Sequence, residues 1–122
     1  MPKRDIRMSG AEITAFLAGH AGCVIGYNGG GPAPAVLPGS YTLTEGMLRV
    51  SVLRPGQTAA ALRDDPRVYV IVEQSPSYYE IAYVGIEGNA ERIRATAGRL
   101  TFDLTPRAVT SASFAKLAEP PG

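Results

Sequence analysis

Val68-Tyr69-Val70-Ile71-Val72, then Ser75-Pro76-Ser77, then Tyr78 to Ile86 is the stretch that decides the fold of this chain. The first run is apolar and β-branched almost throughout, the composition of a central strand covered on both faces. The Ser-Pro-Ser step turns it back into a second extended run, so the two read as a hairpin at the heart of a sheet. Toward the C-terminus, Gly85 and Gly88 interrupt a long strand that runs on through Ala90 and Ile93. Glycines so placed mark bulges or bends where a sheet curls into a barrel. Arg99 to Leu104 and Val109 to Phe114 predict a last antiparallel pair turning around Thr105-Pro106.

Toward the N-terminus, Gln57 to Arg63 predicts a short helix that stops before Pro66, because the residue ahead of proline disfavours helical geometry. Pro55-Gly56 separates it from Met47 to Leu53, whose alternation sets Leu48, Val50 and Val52 on the core face and Arg49, Ser51 and Leu53 on the other. Thr44-Glu45-Gly46 is a turn, and Ala33 to Tyr41 is a strand that Pro34 and Pro38 place at an edge or a bulge. Before it come Asn28-Gly29-Gly30-Gly31-Pro32, a strong turn signal, and the apolar run Gly22 to Tyr27. Ser9-Gly10-Ala11-Glu12 is a capping box ahead of Ile13, Phe16 and Leu17 at helical spacing. The sum is a mainly β chain of six or seven short strands with two short helices, a small antiparallel barrel or sandwich. At 122 residues it makes a single domain, with residues 1–8 as an N-terminal arm and 116–122 as a frayed tail.

Composition excludes several chemistries. One cysteine, Cys23, makes no internal disulfide, and Cys23 with the single histidine, His20, cannot fill a zinc site. Cys23 reads as a small buried hydrophobe, and His20 as a helix-end residue satisfying terminal carbonyls. A Ser/His/Asp set would have to use His20, so no such triad is visible. Twelve basic residues against eleven acidic ones, without a block of like charge, leave no electrostatic footprint for nucleic acid. No stretch reaches membrane-span length and no apolar run follows Lys3, Arg4 and Arg7, so a soluble cytoplasmic protein is expected.

Three blocks carry a resemblance. Leu48-Arg49-Val50-Ser51-Val52 is followed, after a loop and helix, by Leu62-Arg63-Asp64-Asp65-Pro66-Arg67-Val68 and then by Glu87-Gly88-Asn89-Ala90-Glu91. In this order they resemble the pyridoxamine-phosphate-oxidase-like, FMN-binding split-barrel family, and the likeness extends over nearly the whole chain. It implies a six- to seven-stranded antiparallel split β-barrel and a homodimer with two cofactor sites at the subunit interface. The cofactor is FMN or, in related branches, the deazaflavin F420, and some relatives bind haem. The phosphate sits near the start of the helix predicted from Gln57, where free N–H groups favour an anion. That family places a basic pair or triplet ahead of this helix, but here the segment is Gly56-Gln57-Thr58, with Arg54 nearby in sequence. The resemblance therefore implies Arg54, Gln57 and Thr58, with Arg49 across the strand, as phosphate contacts, and Ser51 with Val52 under the ring system.

Each of these residues also has a plainer role: Thr58 as a helix N-cap, Arg54 as a solvated loop residue, Arg49 paired with Glu45 or Glu73, Ser51 as a surface serine. Tyr78, Tyr79 and Tyr83 cluster at the central hairpin, where they line either a planar ligand or, in the preferred reading, a dimer interface. Two functions follow. One is an oxidoreductase of unknown substrate in which FMN or F420 does the hydride chemistry. The other is a non-enzymatic dimeric split barrel that has lost the cofactor or holds a ligand such as haem for storage or sensing.

Overall fold

The computed structural model describes residues 4–53, 56–96 and 98–118. Six antiparallel strands close a barrel: β1 (Gly22–Tyr27), β2 (Ala35–Thr44), β3 (Met47–Leu53), β4 (Arg67–Gln74), β5 (Ala82–Thr96) and β6 (Arg99–Ser113), in the spatial order β1-β2-β3-β6-β5-β4. Helix α1 (Gly10–Ala18) precedes them, and α2 (Thr58–Asp64) joins β3 to β4. The expected mainly β chain with two short helices is what forms, with six strands among the described residues.

The barrel interior follows from alternation. Ile25 of β1, Val50 and Val52 of β3, Val70 and Val72 of β4, Val84 of β5 and Leu100, Phe102 and Leu104 of β6 are buried, while their neighbours point outward. Burying side chains of this size contributes about 1.5–3 kcal/mol each. β4 departs from expectation here. Its inner residues are Val68, Val70 and Val72, but Arg67, Tyr69 and Glu73 are exposed, so it is covered on one face only.

β6 departs as well, because one continuous strand runs through Thr105-Pro106, where a turn was expected. The register passes from Glu87 opposite Ala108 to Gly88 opposite Pro106, so Arg107 is the extra residue of a bulge. The ladder is already broken there and Pro106 needs no partner for the N–H it lacks. A Cβ on Gly88 would collide with the Thr105 carbonyl oxygen and lie 3.0 Å from the Pro106 Cα. The Tyr78–Glu80 segment is a 3-10 turn rather than the start of a strand. The hairpin between β2 and β3 turns on Glu45 and Gly46, both at positive φ (51° and 78°), the geometry a two-residue hairpin requires.

α1 is capped as its sequence predicts. Ser9 Oγ accepts from the Glu12 N–H at 3.2 Å, and Glu12 Oε1 accepts from the Ser9 N–H at 2.9 Å. The helix docks through buried Leu17, whose carbonyl accepts a 2.7 Å bond from Tyr41 Oη. The N-terminal arm lies along the end of β6, with Ser113 N–H donating to the Ile6 carbonyl at 2.8 Å and Met8 N–H to Ser111 Oγ at 3.0 Å. Within the segment expected to fray, Lys116 belongs to the closing 3-10 turn Phe114–Leu117 and pairs with Glu12 at 2.9 Å. Residues 119–122 of that segment lie outside the described residues.

Candidate functional site

The outer face of β3 carries Arg49 and Ser51 side by side. Registry sets Arg49 opposite Asp103 of β6 and Ser51 opposite Thr101. Arg49 therefore does not pair with Glu45 or Glu73. Its Nε donates to Asp103 Oδ1 at 2.9 Å, and Arg92 Nη1 donates to Asp103 Oδ2 at 2.9 Å. The two guanidiniums cover the carboxylate, whose side chain keeps only 4% of its accessible surface, and they hold its pKa below the usual carboxylate range. Arg92 reaches it from a second bulge. Glu91 pairs with Asp103 and Arg94 with Thr101, so β5 gains one residue between them, and Arg92 itself lies at φ 51°. Ser51 Oγ stands 3.5 Å from Thr101 Oγ1. Val52 turns its side chain into the core, leaving it no place on this face. Arg54 lies outside the described residues.

A second group forms where α2 begins. The helix starts at Thr58, with Gln57 in the N-cap position and making no side-chain cap bond, so the expected capping by Thr58 does not occur. Thr58 is buried instead, its Oγ1 2.9 Å from Tyr27 Oη at the end of β1. A cleft of about 710 Å³ opens between this turn and the Asn28-Gly29-Gly30 loop, lined by Tyr27, Gln57, Thr58 and Ala61. A second cleft, of about 580 Å³, adjoins it across Tyr27 and Asn28 and is walled by Pro32, Pro34, Tyr69 and Glu87. Volumes of this size suit a small organic ligand. The loop between them is held rather than loose. Asn28 Oδ1 accepts from the Gly30 N–H at 2.9 Å, and Asn28 Nδ2 donates to Asp65, which also pairs with Arg67 at 2.7 Å.

The structure thus brings Arg49 together with Ser51, and Gln57 together with Thr58, at the two ends of one β3-to-α2 segment. Reading the sequence missed Asp103, Arg92, Tyr27 and Asn28. Asp103 did carry a signal, as the one acid within the apolar run Leu100 to Leu104. Tyr27 and Asn28 carried none beyond a turn.

The remaining candidates are settled by their contacts. His20 Nδ1 lies 2.7 Å from the Phe16 carbonyl and Nε2 lies 3.0 Å from Gln74 Oε1, which fits the helix-end reading. Cys23 is buried, and burial pushes its thiol up to about 11. Tyr78 and Tyr79 are exposed and meet edge to face at 5.1 Å, and Tyr83 is exposed nearby in β5. Tyr69 lies over Gly85, where any Cβ would collide with its phenol oxygen and stand 2.9 Å from Thr110 Oγ1. Among the described residues no cluster of His, Cys, Asp and Glu is arranged for a metal, and no helix is long and apolar enough to cross a membrane.

No family model and no curated protein matches the chain. Solved structures do. A conserved hypothetical protein from Mycobacterium tuberculosis superposes with a TM-score of 0.82 at 22% identity, over 100% of this chain and 95% of that one. A FAD-binding protein from Mesorhizobium loti gives a TM-score of 0.70 at 18% identity, over 86% of this chain and 93% of that one. A protein of the pyridoxinephosphate oxidase family from Clostridium acetobutylicum, related to general stress protein 26, gives 0.72 at 10% identity, over 84% and 87%. At these identities the likeness is one of fold. The chain has the fold of the pyridoxamine 5'-phosphate oxidase-like split barrels.

Proposed function

We propose that this protein is a flavin-binding split barrel, and that it is an oxidoreductase whose hydride chemistry belongs to the cofactor. The observation that carries the reading is the pair of adjoining clefts that flank the loop between β1 and β2, one against the start of α2 and one against β4, on a barrel that superposes on a FAD-binding protein over most of both chains. The residues present fit such a group in part. Gln57, Tyr27 and Asn28 supply neutral hydrogen-bonding groups, and Tyr69 and the prolines supply flat apolar walls, while Arg49 and Ser51 of β3 line neither cleft. A flavin, whether FMN or FAD, would bring an electron-accepting ring, and the chain's task would be to bind it, orient it and shed water from it. F420 and haem are the alternative ligands.

A second reading, a barrel that keeps the fold without a cofactor, draws on one feature: Gly56, Gln57 and Thr58 carry no charge, and the Thr58 hydroxyl is already bonded to Tyr27. Assembly as a homodimer through the exposed Tyr78, Tyr79 and Tyr83 accompanies either reading. The deciding experiment is the visible spectrum of protein purified without additions, followed by fluorescence titration with FMN, FAD, F420 and haem. Bound flavin, weakened several-fold by Tyr27→Ala, is the expected result. Absence of binding by all four overturns the proposal in favour of the empty barrel.

A further inference from the structure

The cleft against β4 is flat-sided. Tyr27, Tyr69, Pro32 and Pro34 line it with rings, and Gly26, in register opposite Tyr69, leaves the space beside that ring open: a Cβ there would meet nothing nearer than the Ala35 carbonyl oxygen, at 3.9 Å. The Tyr69 ring is also fixed in place, because it lies across Gly85 with its hydroxyl 3.2 Å from Thr110 Oγ1. A ring held in this way is a platform that needs no further ordering when a flat ligand settles on it.

Three charged residues line the same cleft, Asp65, Arg67 and Glu87, and two of them cancel. Arg67 gives its Nε and Nη2 to Asp65 at 2.9 and 2.7 Å, and that contact, with Asn28, holds the Asp65 carboxyl well below the usual carboxylate range. Glu87 is exposed on the outer face of β5, in register with Tyr69, and makes no hydrogen bond or ion pair among the described residues. Arg107, in the β6 bulge beside it, does not line the cleft. One uncompensated negative charge therefore stands next to an aromatic face. A cation gains from both, from the carboxylate by charge and from the tyrosine ring by its electron-rich face. An anion is repelled by the first and gains nothing from the second.

We propose that this cleft is a substrate site for a flat aromatic compound bearing one positively charged nitrogen, with Glu87 as its counter-ion and Tyr69 as its platform. Glu87 and Tyr69 are binding residues. Asp65 is a positioning residue: it takes the Arg67 charge out of the balance and, through Asn28, holds the loop that forms the facing wall. The ligand's role as substrate rests on the flavin reading, with the flavin in the cleft at α2 and the cation beside it across Tyr27. Its charge and shape rest on the β4 cleft alone.

The test measures by titration calorimetry the Kd of three probes that share a ring system and differ in charge, naphthylmethylammonium, naphthylmethanol and naphthoate, for the unaltered protein, Glu87→Gln and Gly26→Val. The ammonium is expected to bind at least about fivefold more tightly than the alcohol, since a charge-assisted contact is roughly twice as strong as a neutral one, and naphthoate is expected to bind least. Glu87→Gln should bring the ammonium-to-alcohol ratio close to one with the alcohol unchanged. Gly26→Val, which sets a side chain beside Tyr69, should weaken ammonium and alcohol alike. A ratio near one in the unaltered protein, a preference for naphthoate, a ratio that survives Glu87→Gln, or binding untouched by Gly26→Val overturns the proposal. Should Gly26→Val fail to fold, Glu87→Gln decides alone, since that side chain is exposed. Parallel titration with FMN and FAD separates the two readings. Flavin binding without the ammonium preference removes the cation site and leaves the flavin barrel, whereas the ammonium preference without flavin binding upholds the cation site and removes the flavin reading.

Discussion

Gly88 and Gly85 show how much one missing Cβ can mean and how little of that a sequence reveals. Both read as interruptions of a long strand, but only Gly88 sits at a bulge. Gly85 is small because Tyr69 lies across it, a fact fixed by the strand pairing and so invisible along the chain. The two should respond differently to alanine. At Gly88 the colliding atom is a backbone carbonyl of Thr105, which cannot move without shifting β6. Gly88→Ala is therefore expected to cost about 1–3 kcal/mol, the range for overpacking. At Gly85 the colliding groups are both side chains, the end of Tyr69 and the Thr110 hydroxyl, which can turn away without moving a backbone, so Gly85→Ala should cost less. Urea denaturation of both variants checks the order, and equal losses would contradict it. Asp103 was missed although it is an odd acid in an apolar strand, and its two partners carried no signal at all, because registry and a bulge bring them there.

Among the elements, α1 was the most legible, since its cap, first turn and apolar stripe are local features. Ser9→Ala removes one of the two reciprocal bonds of the box and should cost about 1 kcal/mol. The same box predicts a pH effect. The Ser9 N–H, and then Lys116, hold the Glu12 carboxyl down to about 2 from an ordinary 4.5. A depressed pKa means the folded state favours the charged form, so this contribution is complete above about pH 4.5 and is lost as pH falls toward 2. A Glu12→Gln variant should show a shallower fall of Tm across that window, and an unchanged acid slope would count against it. β6 was the least legible element. Proline normally ends a strand, and only knowledge that the ladder is already broken opposite Gly88 turns Pro106 from a breaker into a bulge residue.

On the scale of the whole molecule, alternation in Leu48 to Val52 and the glycines of β5 were enough to indicate a curled antiparallel sheet. That β4 has an uncovered outer face was not, because its composition alone does not tell a doubly covered strand from one in a closed barrel. The site was legible as a region and not as a set of contacts: Gln57 and Thr58 do line a cleft, while Tyr27 and Asn28 arrive from a distant turn. Closure has a chemical consequence for Cys23. No edge strand can fray to expose it, and burial keeps the thiol protonated, at about 11. Its reaction with a disulfide reagent at pH 8 should therefore track global unfolding across a urea series. Rapid labelling in the absence of urea would show local opening.

The order β1-β2-β3-β6-β5-β4 also bears on how the chain reaches this state. β1 to β3 and β4 to β6 are each a meander of neighbouring hairpins, assembled from contacts close in sequence. The two meanders meet only along two seams, β3 with β6 and β1 with β4, and only the segment carrying α2 ties one to the other. Hairpins form in microseconds, whereas contacts between distant segments wait on loop closure. The slow step of folding is then the zipping of the seams, and the Arg49–Asp103 bond, which spans one of them, belongs to the last part of the barrel to form.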